Sequence, residues 1–173
     1  MKIIFLDIDG VLNHQRFYKE RFEARKQDKL DGNLVKKSQI DREAEEIDPE
    51  SVENLNELIE NTGAKVVISS TWRLGTEIET LQAILEKRGF VGEVIGKTPV
   101  GCGCCQRGNE IHKWLGDNRD IIDEEGNNYI ILDDDSDMLY WQRNNFINVD
   151  QYVGLTPKQV YKATRFLTGI GQL

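Results

Sequence analysis

An apolar strand that runs straight into two aspartates and a glycine constrains this chain more than any other stretch. Ile3-Ile4-Phe5-Leu6 leads without a break into Asp7-Ile8-Asp9-Gly10-Val11-Leu12-Asn13. A continuous apolar run of this kind suits a strand buried on both faces, as in a parallel sheet flanked by helices. Ligands of open α/β sheets bind beyond the carboxyl ends of the strands, which places Asp7 and Asp9 at the binding rim. Two carboxylates one residue apart repel each other unless a proton or a cation intervenes. A hard divalent cation with oxygen ligands, such as Mg²⁺, answers that need, and one carboxylate is then able to attack phosphorus while the other moves a proton. The plain alternative is an ordinary Asp-x-Asp-Gly turn after a strand.

Composition narrows the class. With 173 residues, 39% of them hydrophobic and 30% charged, the chain is long enough for one sheet-and-helix core and reads as a single domain. No apolar run reaches the length of a membrane span, and charges within the first strand argue against a signal peptide. Cys102, Cys104 and Cys105 are too few and too close for a disulfide framework, so a reducing, cytoplasmic setting is expected. The net charge of −8 argues against a protein that coats nucleic acid non-specifically. The charge is uneven, however. Between Arg16 and Lys37 eight basic residues face four acidic ones, whereas Asp41 to Glu60 carries nine acidic residues against Arg42 alone. A basic insert directly after the Asp7/Asp9 turn could draw an anionic substrate; a solvated helix laced with ion pairs is the alternative.

Along the chain, residues 14–47 read as an insertion over the sheet rim, with a charged helix over 16–29 and an indistinct polar stretch over 34–46. Asp48-Pro49 opens a helix as N-cap and first position, and Val52, Leu55, Leu58 and Ile59 form its apolar face. Ala64 to Ile68 is a second buried strand, so that strand, helix and strand make a right-handed parallel unit. A helix over 76–88, a short strand over 91–95, a Gly- and Cys-rich loop over 97–108 and a helix over 109–115 follow. Tyr129-Ile130-Ile131-Leu132 is the third strongly buried strand, followed by a short helix over 138–142, a strand over 146–149 and a helix opened by Thr156-Pro157.

Three buried strands thus end in complementary polar groups: Asp7 and Asp9, then Ser69 and Ser70, then Asp133, Asp134 and Asp137. Such a set suits phosphoryl transfer, where catalysis is mostly positioning and charge neutralisation. In this order and spacing the motifs resemble those of the haloacid dehalogenase superfamily of aspartyl-phosphate phosphohydrolases. Leu6-Asp7-Ile8-Asp9-Gly10-Val11-Leu12 is similar to its first motif, Val67-Ile68-Ser69 to its second, and Leu132-Asp133-Asp134-Asp135-Ser136-Asp137 to its acidic fourth. More narrowly, Ile68-Ser69-Ser70-Thr71-Trp72-Arg73, Arg107-Gly108-Asn109-Glu110-Ile111 with Trp114-Leu115, and Ile131-Leu132-Asp133-Asp134 resemble one branch. That branch holds phosphatase-like domains found with RNA-repair enzymes and the 3′-phosphatase halves of phage polynucleotide kinase-phosphatases.

The resemblance implies a doubly wound parallel α/β fold with a small or absent cap, and it implies roles. Asp7 is the expected nucleophile and Asp9 the acid/base. Mg²⁺ is expected on Asp7, the Asp9 carbonyl and Asp133, with Asp134 and Asp137 on the cation or its waters. Ser69 and the Ser70 amide are expected on phosphoryl oxygens, and Arg73 fills a place the branch reserves for a substrate-binding Arg. The third-motif cation is open between Arg107, Lys97 and Lys113. Arg107 is favoured because it stands just before a helix, and an Arg clamps phosphate bidentately. Cys102, Cys104, Cys105 and His112 raise a zinc site, but the spacing matches no common zinc pair. The expected activity is a Mg²⁺-dependent phosphohydrolase acting on an RNA or DNA end or a nucleotide, with a small phosphate ester as the runner-up. A response-regulator-like phospho-accepting module and a nucleic-acid-binding protein without turnover are the readings from other classes.

Overall fold

The structure is a computed structural model that describes residues 1–30, 37–101, 106–121 and 128–169, with backbone alone for 28–30. The three cysteines therefore lie outside the described residues. Five strands form one parallel sheet: β1 (Ile3–Leu6), β2 (Lys65–Ile68), β3 (Val94–Lys97), β4 (Tyr129–Asp133) and β5 (Phe146–Asn148). Their order across the sheet is β3-β2-β1-β4-β5, so β1 lies at the centre, as its unbroken apolar run requires. The chain winds outward from β1 in one direction and then returns to lay β4 on its other side. The crevice between β1 and β4 is the point where the winding reverses.

Register decides what meets there. Leu6 is level with Ile68 on β2 and with Leu132 on β4, so Asp7, Ser69 and Asp133 emerge at one height. Two backbone bonds close that row, Asp7 N to Leu132 O at 3.0 Å and Ser69 N to Leu6 O at 2.9 Å.

Alternation along the strands sends side chains to two helical layers. Ile4, Leu6, Val66, Ile68, Ile130 and Leu132 pack with α3 (Pro49–Thr62), α4 (Ile78–Glu86) and α6 (Pro157–Thr168). Ile3, Phe5, Val67 and Ile131 pack on the opposite side with Ile111 and Trp114 of α5 (Arg107–Asp117). Phe5 receives Trp114 edge-on at 5.3 Å between ring centroids, a pairing worth ~0.5–1.5 kcal/mol beyond the area it buries.

The expected cap of α3 is present: Asp48 accepts from Glu50 N and Ser51 N, both at 3.2 Å. Between β1 and α3 lie α1 (Gln15–Leu30) and α2 (Gln39–Ala44). The second of these falls in the stretch read as indistinct, where Ser38 caps it by accepting from Asp41 N at 3.1 Å. β3 begins three residues later than the expected strand because Val91 is exposed and Val94 is the residue paired with Val66. The expected helix at 138–142 is a single 3-10 turn, Tyr140–Gln142.

Candidate active site

The carboxyl ends of β1 and β4 open into a cleft of about 390 Å³ lined by Asp7, Asp9, Thr71, Arg107, Asp133, Asp134, Asp135 and Gln151. Arg107 reaches this cleft from the first turn of α5. Its Nη1 stands 3.0 Å from Asp7 Oδ1 and 3.5 Å from Asp133 Oδ2, and it also donates to the Ser69 carbonyl. The helix starts one step before Gly108, with Gln106 as N-cap, so Arg107 is its first residue. Asp137 secures that start by accepting from the Arg107 amide at 2.9 Å.

Charge in the cleft is unbalanced. Asp7, Asp133 and Asp134 each offer an oxygen within 4.8 Å of the others, and Arg107 pairs with Asp7 and Asp133. Burial raises the pKa of Asp133 to about 7, helped by the neighbouring Asp7 charge. Burial likewise raises Asp7, although Arg107 and the Ser70 hydroxyl pull the other way, and it raises Asp134, where Asp7 adds to the effect. Burial works against the Arg107 charge, but Asp7 and Asp133 outweigh it and hold the guanidinium above its ordinary value. Asp133 is 1% exposed, and its Oδ2 finds no hydrogen-bond partner among the described residues. An all-oxygen set with surplus negative charge and an orphaned buried carboxylate oxygen fits a hard divalent cation.

Asp9 is oriented by donors of its own. Asn13 Nδ2 donates to its Oδ1 at 2.8 Å, and the Trp72 indole Nε1 lies 3.1 Å from both oxygens. Asn13 is buried and also accepts the Gly10 amide at 3.0 Å, which ties the turn together. Tyr18 of α1 comes near enough for the Asp9 charge, after burial, to help push its phenol up to about 12.

The remaining expected residues fall into two groups. Ser69 and Ser70 are at the strand end but fully buried behind the lining, and Ser69 Oγ has no hydrogen-bond partner among the described residues. Arg73 is 4% exposed and held by the protein itself: it donates to the Ser69, Ser70 and Thr98 carbonyls and pairs with Glu110 at 2.5 Å. Burial, with Arg107 nearby, lowers its pKa, while Glu110 opposes that shift. Direct substrate contact by Arg73 does not match this geometry, in which the guanidinium braces the loop that carries Ser69 and Ser70. Asp137 lies outside the carboxylate trio: its Oδ2 accepts the Arg107 amide, while its buried Oδ1 has no hydrogen-bond partner among the described residues. Of the rival cations, Lys97 donates to Thr76 O at 2.6 Å and Lys113 pairs with Asp117 at 2.8 Å, so Arg107 is the one brought to Asp7.

Within the basic insert, several of the described cations are already paired with acids. Arg21 and Arg25 engage Glu45 and Glu46, Lys37 engages Glu45, and Arg16 lies near Glu20 and Glu50. His14 is buried and stands 3.0 Å from Asp48 through Nε2, while its Nδ1 accepts from Phe17 N, so its role is to tie the loop to α3.

A family model for the HAD domain in Swiss Army Knife RNA repair proteins matches residues 3–160. This chain belongs to that family. The match spans every strand and the start of α6, so the HAD domain includes both walls of the cleft. No curated protein and no solved structure matches the chain.

Within the HAD domain the motifs assign no role to five residues at the site, one of them Asp135 in the cleft lining. Thr71 and Gln151 line the cleft, and Asn13 and Trp72 hold Asp9. Trp72 stood beside the second motif, and its neighbourhood to Ser70 was the available signal. Gln151 carried none, because it reaches the rim only through the folding of the segment after β5.

Proposed function

We propose that this HAD domain is a Mg²⁺-dependent phosphohydrolase that removes a terminal phosphate from a nucleic-acid end through an aspartyl-phosphate on Asp7. The chain is read as one functional domain. The observation that carries the proposal is Asp7 itself, a buried carboxylate at an open cleft, held 3.0 Å from Arg107 and set against Asp133 and Asp134. A carboxylate so arranged is constrained in direction, and its charge is offset where phosphoryl oxygens must approach.

Asp7, Asp133 and Asp134 would hold the cation, whose chemistry is to neutralise phosphoryl charge as the bonds change. An Asp7 oxygen attacks phosphorus and the bond to the leaving oxygen breaks, with Asp9 supplying that oxygen with a proton. Asp9 then takes a proton from water, the water oxygen attacks the same phosphorus, and the bond to Asp7 breaks to release inorganic phosphate. Arg107 keeps Asp7 oriented and offers its remaining donors to the phosphoryl group. Ser69 and Ser70 shape the phosphate side of the site, Arg73 positions their loop, and Asp137 positions Arg107. The nucleic-acid end as substrate is supported by the family and by an open cleft with room for a polymer terminus.

The test is phosphate release from 3′- and 5′-phosphorylated RNA and DNA oligomers, nucleoside monophosphates, sugar phosphates and p-nitrophenyl phosphate, with and without Mg²⁺. Release that requires Mg²⁺, disappears in Asp7→Asn and prefers a 3′ end is the expected outcome. Retention of activity in Asp7→Asn removes the aspartyl-phosphate route, and release confined to small esters removes the nucleic-acid substrate.

A further inference from the structure

Immediately beyond the acidic turn the chain exposes two aromatic residues in succession. Tyr140 is 76% exposed and Trp141 59%. The turn that bears them is nonetheless firmly anchored. Gln142, next in sequence, is fully buried; its Nε2 donates to Gly108 O and its Oε1 accepts from Leu139 N, both at 2.9 Å. A methyl group on Gly108 would crowd the Leu139 amide and the Gln142 amide oxygen, so turn and helix meet without slack. Cationic and heteroaromatic groups border the rings: the Arg143 guanidinium lies 4.1 Å from the Tyr140 centroid, and the His112 ring meets Trp141 at 5.6 Å.

The location joins these rings to the cleft. Gly108 directly follows Arg107, which holds Asp7. His112 lies on α5 five residues after Arg107, about 7.5 Å along the helix axis at its rise, so the Trp141 ring borders the helix that carries Arg107. Asp137, which accepts the Arg107 amide, is only three residues before Tyr140.

We propose that Tyr140 and Trp141 form a stacking platform for the bases next to the terminal phosphate of a single-stranded nucleic acid. This rests on the phosphohydrolase reading and supplies its substrate contact. Every base offers a π-face, so rings on a rigid turn bind a strand without reading its sequence, and an Arg over one ring adds a cation–π contribution. The platform also resolves a conflict of charge. A chain of net charge −8, in which Arg21, Arg25 and Lys37 of the basic insert already engage Glu45 and Glu46, gains from contacts to bases as well as to phosphates.

The test compares KM for 3′-phosphorylated oligonucleotides of one, two, four and eight nucleotides with KM for p-nitrophenyl phosphate, in the wild type, Tyr140→Ala and Trp141→Ala. The expected result is a KM that falls with length in the wild type and rises about tenfold for the longer oligomers in each variant, with kcat and p-nitrophenyl phosphate turnover unchanged. Equal KM for all lengths, or equal KM in wild type and variants, overturns the platform while leaving the phosphohydrolase reading intact. Binding is read separately in Asp7→Asn, using an oligonucleotide with 2-aminopurine beside the terminal phosphate. Quenching that Trp141→Ala abolishes supports the platform even if no substrate turns over, and undiminished quenching overturns it. The salt dependence of that binding is expected to be shallow, corresponding to one or two phosphate contacts; a steep slope assigns binding to an electrostatic surface instead. Self-association that Trp141→Ala abolishes, with oligonucleotide binding unaltered, assigns the rings to a second copy of the chain and likewise overturns the proposal.

Discussion

Gly10 takes a φ of +76°, and a methyl group at its Cα would overlap the Asp134 carboxylate. Only glycine lets the turn after Asp9 pass so close to Asp134, one of the acids proposed to hold the cation. Gly10→Ala is therefore expected to displace Asp134 and weaken Mg²⁺ binding at least tenfold, read by isothermal titration, with a smaller loss of thermal stability. Trp72 sits at the same scale. Its indole N–H meets both Asp9 oxygens, and hydrogen bonds to charged groups contribute ~1.5–3 kcal/mol. Trp72→Phe keeps the ring and loses the donor. A fall of about tenfold in kcat with KM little changed is expected from steady-state kinetics, and an unchanged kcat shows that Asn13 alone orients Asp9.

Among the elements, α5 and the turn after β2 are locked together by Arg73 and Glu110. This pair is buried, at 4% and 12% side-chain exposure, and Arg73 also satisfies three backbone carbonyls. Breaking it leaves a carboxylate and the carbonyls unpaired inside the protein, which costs ~3–5 kcal/mol. Arg73→Met should lower Tm by about 10 °C. Adding Glu110→Leu should restore part of that loss but not all of it, since the carbonyls of Ser69, Ser70 and Thr98 stay without their donor. Full recovery in the double variant shows that the ion pair alone accounts for the effect. The insertion behaves differently. Arg25 and Lys37 meet Glu45 and Glu46 in half-exposed pairs, which are individually weak and screened by salt, whereas Arg21 meets the same acids with its side chain largely buried.

Over the whole molecule, the raised carboxylates couple stability to pH. An acid whose pKa is higher folded than unfolded binds its proton more tightly in the native state. Its contribution is fully present below the unfolded value of ~4 and is lost as pH rises through the folded value. For Asp133, held at about 7, the cation-free protein should lose stability between pH 4 and pH 7, with Asp7 and Asp134 shifting in the same direction. Mg²⁺ should reverse this, because it favours the ionised acids. At 100 times its Kd it would add ~2.7 kcal/mol, or about 5–10 °C in Tm, at pH 8, and much less at pH 5. Scanning calorimetry across pH with and without Mg²⁺ measures both effects; a Tm rise that is equal at pH 5 and pH 8 excludes cation binding through these acids.

Local patterning was sufficient for much of this architecture. The apolar runs at 3–6, 65–68 and 129–132 dictated buried parallel strands, the Asp48-Pro49 cap dictated α3, and the polar residues ending three strands located the rim. These features are legible because burial and capping act over a few neighbouring residues. α2 and the true start of β3 were not legible, since a short polar helix and a four-residue edge strand carry weak periodicity and depend on their neighbours. The site divides in the same way. Residue types and spacing by themselves determined that Asp7, Asp9, Ser69, Ser70, Asp133 and Asp134 would gather at one end of a sheet. Only the tertiary structure brought Arg107 rather than Lys97 or Lys113 into contact with Asp7, as its place before the expected helix had suggested, set Arg73 to bracing the protein, paired Arg21, Arg25 and Lys37 with Glu45 and Glu46, and brought Trp72 to Asp9. Those outcomes depend on where side chains from distant segments meet, and on which charges find partners before any ligand arrives.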